Sequence, residues 1–263
     1  KIMDIPVFHD DQHGTAIAVV SGVVGGLRFV KKNIQDVKIV VNGCGAAGTA
    51  IGRLLVNMGA KNVIMVDLFG ALYDGIDVKL NRIQAALAKT TNPKKEQGKL
   101  ADLAKSADVL IGLSAPNIFT KEIMSTMNKD AIVFACANPV PETDYATAKA
   151  AGVRVAGTGR SDAPNQINNI IVFPGVFRGA IDVRAKQITE EMKVAATYAI
   201  ANLIDEKDLR EDYVIPDAFD PRVAPAVAAA VAKVAMETGQ ARVEVDPEVI
   251  RANTLKRVAA NNK

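Results

Sequence analysis

The segment "VKIVVNGCGAAGTAIGRLLVNMGA", residues 37–60, joins a β-branched run to a glycine-rich turn and then to a longer apolar run. Residues 37–43 predict a short buried strand, because β-branched residues dominate between polar and glycine boundaries. From Gly45 onward the spacing of the apolar residues predicts a helix. We expect it to end near Gly59, since glycine suits a helix C-terminus. The segment therefore predicts a strand, a tight turn and a helix in succession.

The same alternation of strand and helix continues along the chain. Further short apolar strands are predicted at residues 62–67, 107–113, 131–139 and 153–159, with helical stretches between them. Strands that alternate with helices form a mostly parallel sheet covered by helices on both faces. We therefore predict an α/β fold, a doubly wound and mostly parallel sheet with helical N- and C-terminal extensions.

The helical extensions are visible as apolar residues at helical spacing. The first extension runs from Gly14 to about Lys32. Past residue 185 the segments "TEEMKVAATYAIANLI" and "APAVAAAVAKVAMETG" both predict helices. We predict one domain over residues 1–185, with residues 186–263 forming a helical extension packed on it.

The turn after the first strand carries the spacing Gly43-x-Gly45-x-x-Gly48, and Asp67 ends the next strand 19 residues after Gly48. A strand before the glycines, a helix after them and an acid at this distance make up the dinucleotide-binding (Rossmann) fingerprint. Gly43 permits the tight turn, Gly45 lets the backbone approach a pyrophosphate, and Gly48 allows close helix packing. The alternative is an incidental glycine-rich turn without a ligand.

The choice of cofactor depends on Asp67. Its carboxylate would accept hydrogen bonds from the ribose hydroxyls and repel a 2′-phosphate, and no arginine follows it in "DLFGALYDG". NAD is therefore expected rather than NADP. The phosphates would bind free amides at the helix N-terminus. The candidate cofactor-binding residues of this segment are Gly43, Gly45, Ala46, Ala47, Gly48, Thr49 and Asp67.

Composition and charge exclude several other function classes. The chain has 263 residues, is 49% hydrophobic and carries a formal net charge of +3, with its basic residues scattered. Nucleic acid is a poor partner for such a surface, and the apolar run at residues 16–27 is too short to cross a bilayer. Cys44 and Cys136 are too few for a disulfide framework, so we expect a reduced, cytoplasmic location.

Both histidines of the chain flank a pair of carboxylates in "PVFHDDQHGTA", residues 6–16. Aspartates before a helix often serve only as caps. His9 and His13 lie four residues apart, but the His-Glu-x-x-His pattern of zinc peptidases is absent.

Three polar segments at residues 112–117, 135–142 and 165–175 follow predicted strands or precede an apolar run. Loops at the carboxyl edge of one sheet fit a site for a small polar substrate.

Taken together, several segments resemble the malic enzymes, particularly the smaller bacterial, NAD-dependent type, and this chain resembles their C-terminal, cofactor-binding portion. The resemblance runs in the same order over roughly residues 3–200 and rests on "PVFHDDQHGTA", "NGCGAAGTAIGRLL", "IGLSAPNIFTKEI", "FACANPVPE" and "NNIIVFPGVFRGA". This family oxidises L-malate with NAD or NADP and decarboxylates the product to pyruvate and CO2, with help from Mg²⁺ or Mn²⁺. The resemblance also implies a homodimer.

The resemblance implies a role for each of several polar residues. Asp11 is similar to the family's metal ligand, and Asp10 to the residue that holds the catalytic lysine in place. Thr15 and Ser114 resemble residues that approach the cofactor. Asn138 resembles an asparagine that touches both malate and the nicotinamide side, and Asn169 one that touches malate. Carboxylate oxygens are ligands that Mg²⁺ prefers, and a bound ion lowers the pKa of the malate hydroxyl.

Other parts of the family's site have no match in this sequence. The tyrosine acid, the lysine base, a substrate-binding arginine and a Glu-Asp metal pair lie before the acidic pair, where this chain has nine residues. We therefore expect the upstream catalytic domain to lie outside this chain. Two alternatives stay open: a malolactic enzyme, which converts malate to lactate with the same motifs, and a non-catalytic NAD-binding regulatory module.

Overall fold

The computed structural model describes residue 3 and residues 5–261, so the outermost ends of the two predicted regions lie outside the described residues. In this part of the chain the six strands are β1 Lys38–Asn42, β2 Asn62–Asp67, β3 Gly70–Ala71, β4 Val109–Gly112, β5 Ile132–Ala135 and β6 Val155–Thr158. The helices are α1 Thr15–Val30, α2 Ala46–Asn57, α3 Arg82–Ala88, α4 Leu100–Leu103, α5 Lys121–Met124, α6 Tyr145–Ala150, α7 Phe173–Asp182, α8 Glu190–Ala201, α9 Val223–Glu237 and α10 Pro247–Asn261.

All strands belong to one sheet with the order β3-β2-β1-β4-β5-β6. The five longer strands are parallel, and only β3 runs antiparallel to its neighbour β2. In register, Val40 of β1 lies between Ile64 of β2 and Leu110 of β4. The prediction of a mostly parallel, doubly wound α/β fold is therefore confirmed, as are its five strands. The two-residue β3 was not predicted, because it is too short for a pattern.

Helix α1 lies in the core, and every residue from Ala16 to Leu27 is buried. Its glycines allow close packing, since a Cβ on Gly25 would lie 1.9 Å from the carbonyl oxygen of Val214. The stretch Asp10–Val30, which includes this helix, is long and apolar enough to cross a bilayer, but 67% of its most apolar window is buried inside the fold. Packing within the domain thus accounts for its composition.

The helices after residue 185 pack on one another and on α1. Thr189 caps α8 by accepting a hydrogen bond from the amide of Met192 at 3.4 Å. Helix α8 packs against α1, α9 packs against α7 and α8, and α10 packs against α9. Because α7 precedes residue 185 and contacts α9, helical packing is continuous across the expected boundary. That boundary stays a prediction.

Asp108, at the amino end of β4, joins three elements at the edge of the sheet opposite the glycine turn. Its carboxylate accepts hydrogen bonds from the ammonium of Lys32 at 2.8 Å, the amide of Lys38 at 2.9 Å and the side chain of Asn128 at 3.0 Å. Burial raises the pKa of this carboxyl, but these hydrogen bonds outweigh it, and the net pKa lies below the usual value. Asp108 in its ionised form therefore links the start of β4 to β1 and to the segments that follow α1 and α5.

We predict that Asp108→Asn lowers the free energy of unfolding at neutral pH by roughly 1.5–3 kcal/mol, because three hydrogen bonds lose a charged acceptor. The difference from wild type is fully present above the unfolded pKa of 3.8 and shrinks as the pH falls below it. Denaturant titrations between pH 3 and 7 measure this. The exposed pair of Lys233 and Glu237, 3.8 Å apart, supplies the control, and Glu237→Gln should change little.

Candidate functional site

The strand order reverses between β1 and β4, which opens a crevice beyond the carboxyl ends of these two strands. β2 lies on one side of β1, whereas β4 and the later strands lie on the other. Ligands of open parallel sheets bind at such a reversal, because the loops after the two strands diverge there. The glycine turn follows β1 and Ser114 follows β4, so two predicted cofactor-binding segments lie on opposite sides of the crevice.

The three glycines of the turn meet three different constraints. Gly43 has a φ of +123°, and a Cβ there would lie 2.6 Å from the carbonyl oxygen of Leu113. A Cβ on Gly48 would lie 1.8 Å from the carbonyl oxygen of Gly43. Gly45 has no atom within 4 Å of its Cβ position, so it faces open space. The first amides of α2, at Ala46 and Ala47, follow directly, which makes the turn a suitable cradle for a pyrophosphate.

Asp67 ends β2 at the other side of the crevice, and its carboxylate is already oriented. One oxygen accepts a hydrogen bond from the amide of Leu68 at 2.7 Å, and the other accepts one from the side chain of Gln84 at 2.8 Å. Gln84 also closes a capping box with Asn81 at the start of α3. The Asn-x-x-Gln spacing was a signal for this box that our sequence analysis missed.

A basic residue also lies near Asp67, although none follows it closely in sequence. The ammonium of Lys99 donates a hydrogen bond to the carbonyl oxygen of Leu68 at 2.7 Å. Lys99 precedes α4, 32 residues after Asp67. Sequence reasoning missed this contact because only the fold brings the two segments together.

The acidic pair lies in a π-helical turn, Asp10–Gly14, that continues directly into α1. The Asp10 carboxylate folds back over Gly14, where a Cβ would lie 2.0 Å from Oδ1. Asn169 donates a short hydrogen bond to Oδ2, while Oδ1 is buried and has no hydrogen-bond partner among the described residues. Burial raises the pKa of Asp10, against the opposing effect of this hydrogen bond. Asp10 therefore contacts its own turn and Asn169.

Asp11 is exposed and points to a different place, a mainly polar cavity of about 210 Å³. The structure brings together four predicted site residues here, since the cavity is lined by Asp11, Thr15, Cys136, Asn138, Gly159, Ile167, Asn168 and Asn169. Ser114 does not line it. Its hydroxyl instead accepts a hydrogen bond from Asn42 at 2.6 Å. The cavity and the glycine turn thus lie at the same edge of the sheet without sharing a lining residue.

The asparagines before α7 differ in role, because some bond within the fold and one also contacts the acidic pair from the cavity. Asn165 is buried, and its side chain bonds the carbonyl oxygens of Ala156 and Glu211 and the amide of Val214, at 2.8–2.9 Å. Asn168 accepts a hydrogen bond from the amide of Ile170 at 3.0 Å. Only Asn169 combines a place in the cavity with contact to the acidic pair.

The histidines do not join the aspartates in a cluster. His13 accepts a hydrogen bond from the amide of His9 at 3.3 Å and lines a separate small cavity with Glu190 and Lys193. Burial, followed by the charge of Lys193, lowers the pKa of His13 to about 4. Among the residues that the structure describes, no group of three or more His, Cys, Asp or Glu side chains is arranged to hold a metal.

The groups that line the cavity are of the chemical type that binds a hard divalent cation. They are too few to complete its coordination shell. The carboxylate of Asp11 and the amide oxygens of Asn138 and Asn169 are oxygen ligands of the type that Mg²⁺ and Mn²⁺ take. Mg²⁺ requires six ligands, so water, substrate or other residues would have to complete the shell.

Comparison with known proteins identifies the family. A family model described as malic enzyme, NAD binding domain matches residues 12–236. The chain belongs to the malic enzyme family. It is 53% identical over 256 residues to the bifunctional malic/malolactic enzyme of Bacillus subtilis, covering 97% of this chain and 62% of that protein. It is 48% identical to the NAD-dependent malic enzyme of Geobacillus stearothermophilus, covering 91% of this chain and 50% of that protein.

A solved malic enzyme structure agrees with the fold. The malic enzyme of Pyrococcus horikoshii superposes with a TM-score of 0.94 and 41% identity, covering all of this chain and 62% of the other. The chain thus spans about half to two thirds of these malic enzymes and corresponds to their NAD-binding portion. Relatives also include the NADP-dependent malic enzyme of Haemophilus influenzae, 44% identical, with coverage of 91% of this chain and 34% of that protein. The family and the fold are confirmed, whereas the roles of individual site residues stay predictions.

We predict that Gly45→Ala impairs cofactor binding, whereas Gly48→Ala impairs stability. Gly45→Ala should fold normally, because its φ is −76° and its Cβ enters open space, but should weaken NAD(P) binding where the pyrophosphate approaches. Gly48→Ala should lower the melting temperature, since Gly43 must move away from the new methyl group. Thermal unfolding and cofactor titration distinguish the two. Equal cofactor affinity in Gly45→Ala and wild type would contradict the cradle.

Proposed function

We propose that this chain is the cofactor-binding part of an NAD-dependent malic enzyme that converts L-malate to pyruvate and CO2 with Mg²⁺ or Mn²⁺. The main support is that the glycine turn and a cavity containing Asp11, Asn138 and Asn169 both lie at the carboxyl edge of the sheet. In this proposal the turn binds the cofactor and the cavity binds malate. Hydride transfer requires cofactor and malate at once, and the loops that would bind them follow strands of the same sheet.

The two aspartates of the acidic pair would have different roles, one as a metal ligand and the other as a structural support. Asp11 would hold the divalent ion, which when bound lowers the pKa of the malate hydroxyl and stabilises negative charge on the product. Asp10 contacts Asn169 and its own turn, so it would fix the turn and, as the family resemblance implies, orient a catalytic lysine. Its unpartnered Oδ1 leaves an acceptor for such a cation.

The two asparagines supply neutral polar groups for the substrate. Asn138 is exposed at the cavity, so its amide is free to bind a malate carboxylate or the nicotinamide carboxamide. The amide nitrogen of Asn169 already donates one hydrogen to Asp10, which leaves its second hydrogen and its oxygen for ligands. Neutral donors orient two substrate carboxylates without the charge of a further cation.

The preference for NAD in this proposal is supported by the orientation of Asp67. Gln84 and the amide of Leu68 hold the carboxylate at the end of β2, where it would meet the adenosine ribose. A 2′-phosphate would place negative charge beside it. The ammonium of Lys99 favours the opposite outcome, because it lies beside Leu68. We take the carboxylate as decisive because it would contact the hydroxyls directly.

We predict that Asp67→Ser weakens NAD binding by about 1–3 kcal/mol, because a charged hydrogen-bond acceptor is lost, and narrows the difference between NAD and NADP. Calorimetric titration with both cofactors measures the effect. The exposed Asp74, in the following loop, provides the control, and Asp74→Ala should bind as wild type does. A wild-type protein that binds NADP more tightly than NAD would contradict the proposal.

A malolactic outcome is the second candidate, and the relative from Bacillus subtilis supports it by its name. The two reactions differ in whether the product is pyruvate, with free NADH, or lactate, with no net change of cofactor. Product analysis of the native polypeptide with malate, NAD and Mn²⁺ distinguishes them. The absence of both products would favour the NAD-binding regulatory module. A homodimer and a cytoplasmic location belong to the same proposal, and sedimentation of the native protein tests the dimer.

We predict that Asp11→Asn, in the native polypeptide, raises the Mn²⁺ concentration needed for half-maximal turnover and strongly depresses kcat, because a charged ligand is lost. His9→Gln is the matched control, since His9 is exposed and adjacent to the pair. Its Mn²⁺ requirement should stay close to that of wild type. Equal losses in both variants would support the histidines as metal ligands instead.

A further inference from the structure

Two loops at the carboxyl edge of the sheet carry the proposed cofactor and substrate contacts. The loop after β4 contains Ser114, and the loop after β5 contains Asn138. Each is mostly exposed at its tip, so neither is held in place by burial of these residues. What fixes one loop relative to the other therefore determines how cofactor and substrate meet.

The buried carboxylate of Glu142 joins the two loops, beside backbone hydrogen bonds from the amides of Asn117 and Phe119 to the carbonyl oxygens of Pro141 and Glu142 at 3.1 and 3.0 Å. Oε1 accepts a hydrogen bond from the amide of Ser114 at 2.8 Å, and Oε2 accepts one from the amide of Ala137 at 3.0 Å. Glu142 has 0% exposure. A Cβ on Gly112, the last residue of β4, would lie 2.4 Å from its carboxyl carbon, so the glycine leaves the space that the carboxylate occupies.

The chemistry of this contact requires a carboxylate. Burial raises the pKa of Glu142 above its usual value, although hydrogen bonds from backbone amides partly oppose the shift. Each oxygen binds the backbone of a different loop, so both loops are held by one rigid planar group. A glutamine has only one acceptor oxygen and would place an N–H₂ group against one of the two amides. One loop would then lose its hydrogen bond to this side chain, while the backbone hydrogen bonds further along the loops remain.

We propose that Glu142 is a positioning residue that sets the distance between the Ser114 loop and the Asn138 loop, and through them the placement of cofactor against malate. This inference rests on the proposed function. Glu142 does not line the cavity, so it acts only through the two loops. A displacement of about 1 Å in such a geometry can reduce a rate by about 100-fold.

The test is Glu142→Gln in the native polypeptide. We expect kcat with malate to fall by about 10–100-fold, with KM for malate and Kd for NAD changing far less, and the primary isotope effect with 2-deuterated malate to rise. A loss of stability alone would not raise the isotope effect. Unchanged kcat and isotope effect in a folded variant would overturn the proposal.

Two control variants separate positioning from general structure. Glu122→Gln removes an exposed carboxylate from α5 and should leave both stability and kcat unchanged. Asp144→Ala removes the cap of α6, two residues from Glu142, and should lower the melting temperature without changing kcat. A decrease in kcat for Asp144→Ala equal to that for Glu142→Gln would indicate a merely structural role and overturn the proposal.

A measurement on the wild-type protein covers the case in which Glu142→Gln fails to fold. The amide hydrogens of Ser114 and Ala137 should exchange with solvent more slowly than those of other loop residues, because a buried acceptor binds them. Rapid exchange at both amides would overturn the proposal. This readout also does not depend on turnover: a wild-type protein without malate-dependent activity would refute the proposed function, while slow exchange would still support the link between the loops.

Discussion

The contact between the Gly43 carbonyl and Gly48 sets the geometry on which the rest of the site depends. With no room for a methyl group at residue 48, α2 begins directly against the end of β1. The first amides of the helix consequently face the crevice at the reversal of strand order. If α2 began further from the end of β1, these amides would no longer face the crevice. The dinucleotide site therefore follows from one close backbone approach.

The two edges of the sheet are built in opposite ways. At the amino edge, Asp108 gathers a lysine ammonium, a backbone amide and an asparagine, and its hydrogen-bonding capacity is used within the fold. At the carboxyl edge, Asp11 and Asn138 are exposed toward a cavity. A polar group whose bonds are complete stabilises the fold, and one whose bonds are incomplete is available to a ligand. The predicted site residues at the carboxyl edge are therefore the ones that remain open to a ligand.

The sequence predicted the strands and the glycine turn because their signals are local. Residues 62–67 were predicted with the same bounds that β2 shows, and the turn has a fixed spacing. The contacts within the site were not predictable in this way. Asp10 and Asn169 are 159 positions apart, and Glu142 reaches Ser114 across 28. No periodicity connects such pairs, and only the order of the strands brings them together.

Adjacent residues of the acidic pair face different surroundings because the turn before α1 is π-helical. The wider turn continues into a helix whose first three turns are buried on all sides. Asp11 is therefore attached directly to a buried helix of the core, and a shift of its backbone would disturb the packing of that helix. The position of a ligand held by Asp11 is therefore set by the packing of the core.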